Sequence, residues 1–147
     1  MRKIKSSLDI IFSTCVQICI FTTMQKLVFV FLGGGLGSVL RYVCSLCFSK
    51  STFVFPVTTF IVNMIGSLLI GLILGYLLAV ETKQDLWKVF LVTGLCGGFT
   101  TFSAFSNESI QLFKTNHTDI AFLYIISSIL LGLAFTYLGY FIMNTKL

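Results

Sequence analysis

Long apolar runs alternate with short polar clusters along this chain. Leu27 to Phe48 is the first run, and Arg41 is its one charged residue. Phe53 to Val80 is the second; it holds no charge but contains Pro56 and Asn63. Glu81 to Asp85 is a polar connection. Leu86 to Ile110 is the third run, with Lys88 at its entrance and Glu108 at its exit. A connection over Lys114 to Asp119 leads to the fourth, Ile120 to Met143, again uncharged. Each run supplies the roughly 20 apolar residues that a helix needs to cross a bilayer. In hydrocarbon such a run must be helical, because exposed backbone groups find no water there. The pattern predicts an all-α membrane protein with four transmembrane helices.

The third run is predicted to be broken near its middle. In 94-GLCGGFTTFSAFSNES-109, Gly94, Gly97 and Gly98 each weaken a helix by up to about 1 kcal/mol relative to Ala. Thr100 and Thr101 are β-branched and favour other conformations. A break near Gly97–Thr100 frees carbonyls at membrane depth, and these need a partner. A bound hard cation is one such partner. Two carbonyls from each of two chains around a twofold axis would form an oxygen cage suited to Na⁺. No acidic ligand is at hand, which disfavours Ca²⁺ and Mg²⁺.

Small residues recur at four-residue spacing: Gly33 and Gly37, Gly71 and Gly75, Gly94 and Gly98. Such pairs let helix backbones approach closely in lipid. The stretch 33-GGGLGS-38 lies inside an apolar run and lacks the spacing of a nucleotide loop, so it reads as a packing surface.

Composition agrees with the pattern. Of 147 residues, 56% are hydrophobic and only 10% charged, against about 25% charged in a soluble domain. The net charge of +5 reads as anchoring at helix flanks. No basic stripe interleaved with aromatics points to nucleic acid. The five cysteines, odd in number and all in apolar sequence, argue against a disulfide framework. Cys44 and Cys47 have C-x-x-C spacing without a second pair or a nearby His, and read as buried small hydrophobes.

Residues 1–23 stand apart from the four-helix region 24–147. MRKIKSSLD is a basic start, followed by a shorter apolar run from Ile10 to Thr23. It resembles a signal segment without a clear cleavage site. An interfacial helix is another reading. The preferred one is that translation starts at Met24 and that 1–23 is a mis-assigned extension. From Met24 on, Lys26, Lys83, Lys88 and Lys146 lie on one side, and Arg41, Lys50 and Lys114 on the other. Four against three sets orientation weakly, which permits insertion both ways up. Arg2, Lys3 and Lys5 would make it seven against three and favour one orientation.

Polar groups inside the runs are costly in lipid and therefore informative. Arg41 is either a snorkelling anchor or a cation at a vestibule that draws anions. Asn63 is either an interhelical hydrogen-bonding group or a donor amide on a pore wall. Ser128, Gly132 and Thr136 share one helix face, as a polar track or as back-bonded hydroxyls. Phe102 and Phe105 also share a face, with Ser103 between them. Their positive ring edges would attract an anion; ordinary packing is the plainer account. No Asp or Glu lies mid-run, which weighs against a proton-coupled exporter of the small multidrug type. The only histidine, His117, sits in a polar loop, so no nucleophile–base pair suggests an intramembrane enzyme.

GGGLGSVLRY (33–42), FPVTTFIVNMIGSLLIG (55–71) and GLCGGFTTFSAFS (94–106) together resemble the signature blocks of the Fluc, or CrcB, fluoride channel family. Order and spacing match, from about Met24 to the C-terminus. The resemblance implies an antiparallel dual-topology homodimer in the bacterial plasma membrane, with two pores that export F⁻ passively. It implies a central Na⁺ on the backbone carbonyls of Gly97 and Thr100. It puts the pore on Asn63, Phe102, Ser103, Phe105 and Ser128, and a vestibule or structural cation on Arg41. Two positions depart from the family pattern. Ala104 stands where Thr is usual, removing a hydroxyl from the track, and Thr58 stands where Gly often precedes Thr59. The rivals are a small multidrug-type exporter and a subunit that only packs helices.

Overall fold

A computed structural model describes residues 2–48, 53–79 and 85–146. Lys50 and Lys83, which entered the charge count, lie outside the described residues. The described chain is helical: α1 (Arg2–Phe48), α2 (Val57–Ala79), α3 (Asp85–Lys88), a π-helical turn series (Val89–Cys96), α4 (Gly97–Phe99), α5 (Phe102–Lys114) and α6 (Thr118–Lys146). Four spans are long and apolar enough to cross a membrane: Ile20–Phe48, Val57–Leu78, Leu86–Lys114 and Thr118–Thr145. These are the four helices that the hydropathy pattern predicts. The first helix is longer than its apolar run, passing Met24 without interruption.

Local chemistry sets the ends. Pro56 stands just before α2, where a fixed φ suits a helix start, and its carbonyl accepts from Phe60 N–H. At the α5–α6 turn, Asn116 adopts φ 59°. Asn116 N–H donates to the Phe113 carbonyl and His117 N–H to the Leu112 carbonyl. This pair of bonds around a left-handed residue stops a helix and satisfies its last carbonyls. It lets α6 return alongside α5 after three residues.

Packing is interleaved. The first span lies against the third, and α2 lies along α6. Glycines make both seams. A Cβ on Gly94 would sit 2.9 Å from the Gly33 Cα, so the two backbones meet with no room for a side chain. In the other seam a Cβ on Gly75 would lie 2.8 Å from the Tyr140 carbonyl oxygen. The four-residue glycine spacing thus has the packing role that the sequence implied. A buried cluster of Leu112, Ala121 and Tyr124 closes one end, with Phe55, Phe60 and Phe105 packed on it. Cys96 is buried, as expected of a small hydrophobe, but Cys47 is exposed and Cys44 only half-buried. Both ride on an α1 face that no other span covers.

Candidate ion pathway

The break in the third span falls at Thr100 and Thr101. Both are extended, with φ/ψ of −77°/157° and −147°/116°. Gly97 stays helical at −63°/−37°. The break is therefore at the C-terminal edge of the expected Gly97–Thr100 window and runs one residue past it. The β-branched threonines, which suit extended backbone, bend; the glycine is retained in helix.

Three groups hold the break. Thr100 closes α4: its N–H and its hydroxyl both donate to the Cys96 carbonyl, over 3.0 Å and 2.9 Å. Thr101 opens α5 as an N-cap, its Oγ1 accepting from Ala104 N–H over 3.2 Å. Asn63, from α2, clips Thr101 on both sides. Its Nδ2 donates to the Thr101 carbonyl over 3.2 Å, and its Oδ1 accepts from Thr101 N–H over 2.9 Å.

These bonds divert two helical donors. In a continuous helix Thr101 N–H would bond the Gly97 carbonyl and Ala104 N–H the Thr100 carbonyl. Here the first goes to Asn63 and the second to the Thr101 hydroxyl. The carbonyls of Gly97 and Thr100 are thereby left open to another partner. Among the described residues no group of three His, Cys, Asp or Glu side chains offers a metal site. Backbone oxygens of this kind are hard ligands that fit Na⁺.

A cavity of about 360 Å³ lies beside the break, and its lining includes Asn63, Gly97, Thr100, Phe102, Phe105 and Ser128. Six of the eight residues singled out in the sequence thus share one cleft. Phe102 is 79% exposed; its ring centroid is 5.6 Å from that of Phe105. Phe105 is anchored from behind by Tyr124, at 5.2 Å. The Ser128 hydroxyl is buried without a protein partner. Its neighbours on the expected stripe differ: Thr136 back-bonds to the Gly132 carbonyl over 3.0 Å.

Two of the eight lie elsewhere. Ser103 is exposed, its hydroxyl 3.2 Å from Thr101 Oγ1. Arg41 lines a separate polar cavity of about 380 Å³, with Thr58, Ala104 and Glu108 among its neighbours. Ala104 therefore borders the arginine cavity rather than the cleft.

A family profile described as CrcB-like protein, Camphor Resistance (CrcB), matches residues 28–140. The chain belongs to the CrcB family. Curated relatives agree. The fluoride-specific ion channel FluC of Flavobacterium psychrophilum is 53% identical over 117 residues, covering 79% of this chain and 94% of that one. The fluoride-specific ion channel FluC of Phocaeicola vulgatus is 45% identical over 117 residues, 79% and 96% of the two chains. The fluoride-specific ion channel FluC 2 of Bacillus subtilis is 41% identical over 113 residues, 77% and 83%.

Two residues of this CrcB chain carry more than the sequence indicated. Glu108 looks like a carboxylate at a helix exit, but it is an interhelical hub. Thr59 donates to its Oε1 over 2.7 Å and Tyr124 to its Oε2 over 2.8 Å. Thr101 looks like a generic β-branched breaker, but it is the residue both clipped and capping. Both roles depend on partners many positions away, which spacing along one helix does not reveal.

Proposed function

We propose that this protein is a fluoride-specific ion channel that lets F⁻ leave a bacterial cell passively through its plasma membrane, lowering fluoride toxicity. The observation that carries the reading is the cleft at the break, which gathers Asn63, Phe102, Phe105 and Ser128. The printed names of the relatives support it, and they are channels, not enzymes. F⁻ is small and tightly hydrated, so a pore must replace lost water with donors. An Asn amide has two N–H donors; the Thr101 carbonyl takes one of Asn63's, leaving the other for the ion. The Ser128 hydroxyl adds a second donor. The rings of Phe102 and Phe105 add edges of positive potential. No Lys or Arg lines the cleft, so no full charge holds the ion fast. Ser103 stands at the exposed mouth.

The working unit in this proposal is an antiparallel homodimer. A second copy would cover the open face at Phe102 and Gly97, both exposed in the single chain. The open carbonyls of Gly97 and Thr100 from both copies would then hold one structural Na⁺. That ion supplies a fixed positive charge at the break, while the hydrogen bonds of Asn63 and Thr101 set the backbone that presents the carbonyls. The multidrug-exporter alternative gains no support, since Glu108 is engaged on both oxygens and not free for proton relay. Efflux of F⁻ from liposomes, read with a fluoride electrode, tests the proposal. We expect efflux that needs no proton gradient and excludes Cl⁻; purified protein that passes no F⁻ overturns it.

A further inference from the structure

The cavity around Arg41 has no part in the cleft, yet its chemistry is one-sided. Its acceptor, Glu108, already takes hydrogen bonds on both oxygens, from Thr59 and Tyr124. Its donors are mostly open. Arg41 Nε is buried with no partner. Among the described residues the hydroxyls of Ser38 and Thr58 make no hydrogen bond. Thr58 and Thr59 also lie in the first turn of α2, where backbone N–H groups have no partner within the helix and the helix dipole favours a negative charge. A pocket with open donors and a filled acceptor suits an anion.

The cleft and this cavity flank α5. Phe105 faces the former, and Ala104 and Glu108, one turn apart, face the latter. We propose that the Arg41 cavity is a second station for the permeating anion, with Arg41, Ser38 and Thr58 as its ligands. The inference rests on the channel reading above. Arg41 alone would trap a small anion. The Glu108 carboxylate on the same wall offsets that charge, so the ion is held mainly by hydroxyls and can leave. Thr58 supplies a hydroxyl on the wall where Ala104 supplies none.

Thr58→Val keeps the shape and removes the hydroxyl; Thr58→Ser keeps the hydroxyl. Ser38→Ala removes the facing one. Each is reconstituted and F⁻ efflux measured over a range of F⁻ concentrations. Thr58→Val and Ser38→Ala are expected to slow efflux about ten-fold, the size of one lost hydrogen bond to an ion, and to raise the F⁻ concentration for half-maximal rate. Thr58→Ser should stay within about two-fold of the parent. If Thr58→Val and Ser38→Ala both run at the parent's rate, or Thr58→Ser is as slow as Thr58→Val, this proposal fails while the channel reading stands. A parent that passes no F⁻ overturns both.

Discussion

Asn63→Ala removes the clip at the centre of the third span. Two hydrogen bonds to Thr101 disappear, of 3.2 Å and 2.9 Å. Thr101 is only 9% exposed, so its N–H and C=O do not regain water. Interhelical hydrogen bonds in membranes average about 0.6 kcal/mol and reach about 1.7, so two set a floor near 1 kcal/mol. A buried backbone group left unpaired costs about 1–3 kcal/mol; with two such groups, a loss of about 2–4 kcal/mol is expected. Thr101→Ala is the matched control. It keeps both backbone bonds and loses only the cap, about 1 kcal/mol. The assay is the midpoint of thermal loss of the monodisperse species on size exclusion, paired with F⁻ efflux. Asn63→Ala should melt well below Thr101→Ala and conduct almost nothing. An Asn63→Ala protein that melts with the parent would refute the clip.

Gly94→Val should cost folded protein outright, because its side chain meets the backbone of Gly33; yield and monodispersity report it. Phe102→Ile, at an exposed ring, should reduce efflux and leave the melting midpoint unchanged, whereas Phe105→Ile should reduce both, since Phe105 packs on Tyr124. Ser128→Ala should slow efflux several-fold with no loss of stability, because it deletes a buried hydroxyl that no protein group satisfies. Replacing Na⁺ throughout by a larger organic cation should lower efflux if Gly97 and Thr100 hold sodium; indifference after prolonged dialysis counts against that site.

The parts legible in the sequence are those governed by local periodicity. The four spans follow from run length, and both glycine seams follow from four-residue spacing. The break was legible as a region but not to the residue. Helix propensity points at the glycines, whereas Gly97 remains helical and the threonines extend. Packing against α1 decides this, since Gly98 must stay tight against the backbone at Gly34. The π-helical stretch Val89–Cys96 has no signature that apolar patterning exposes. The bonds of Asn63 to Thr101 span 38 positions, and those of Glu108 span 49 and 16. Such pairings come from topology and are invisible to a reading along one helix. Ser128 was found because its stripe was visible; that Thr136 would satisfy itself was not.

The interleaved seams also dictate an order of assembly during synthesis. The first span finds its glycine partner only once Gly94 and Gly98 have emerged, and α2 finds its own only with Gly139. Until then the early helices sit in lipid with unmatched grooves. A nascent chain stopped after α2 holds two halves of different seams and no completed one. Commitment to the native arrangement therefore comes late in translation, and premature termination leaves helices that chaperones or proteases can recognise as unpaired.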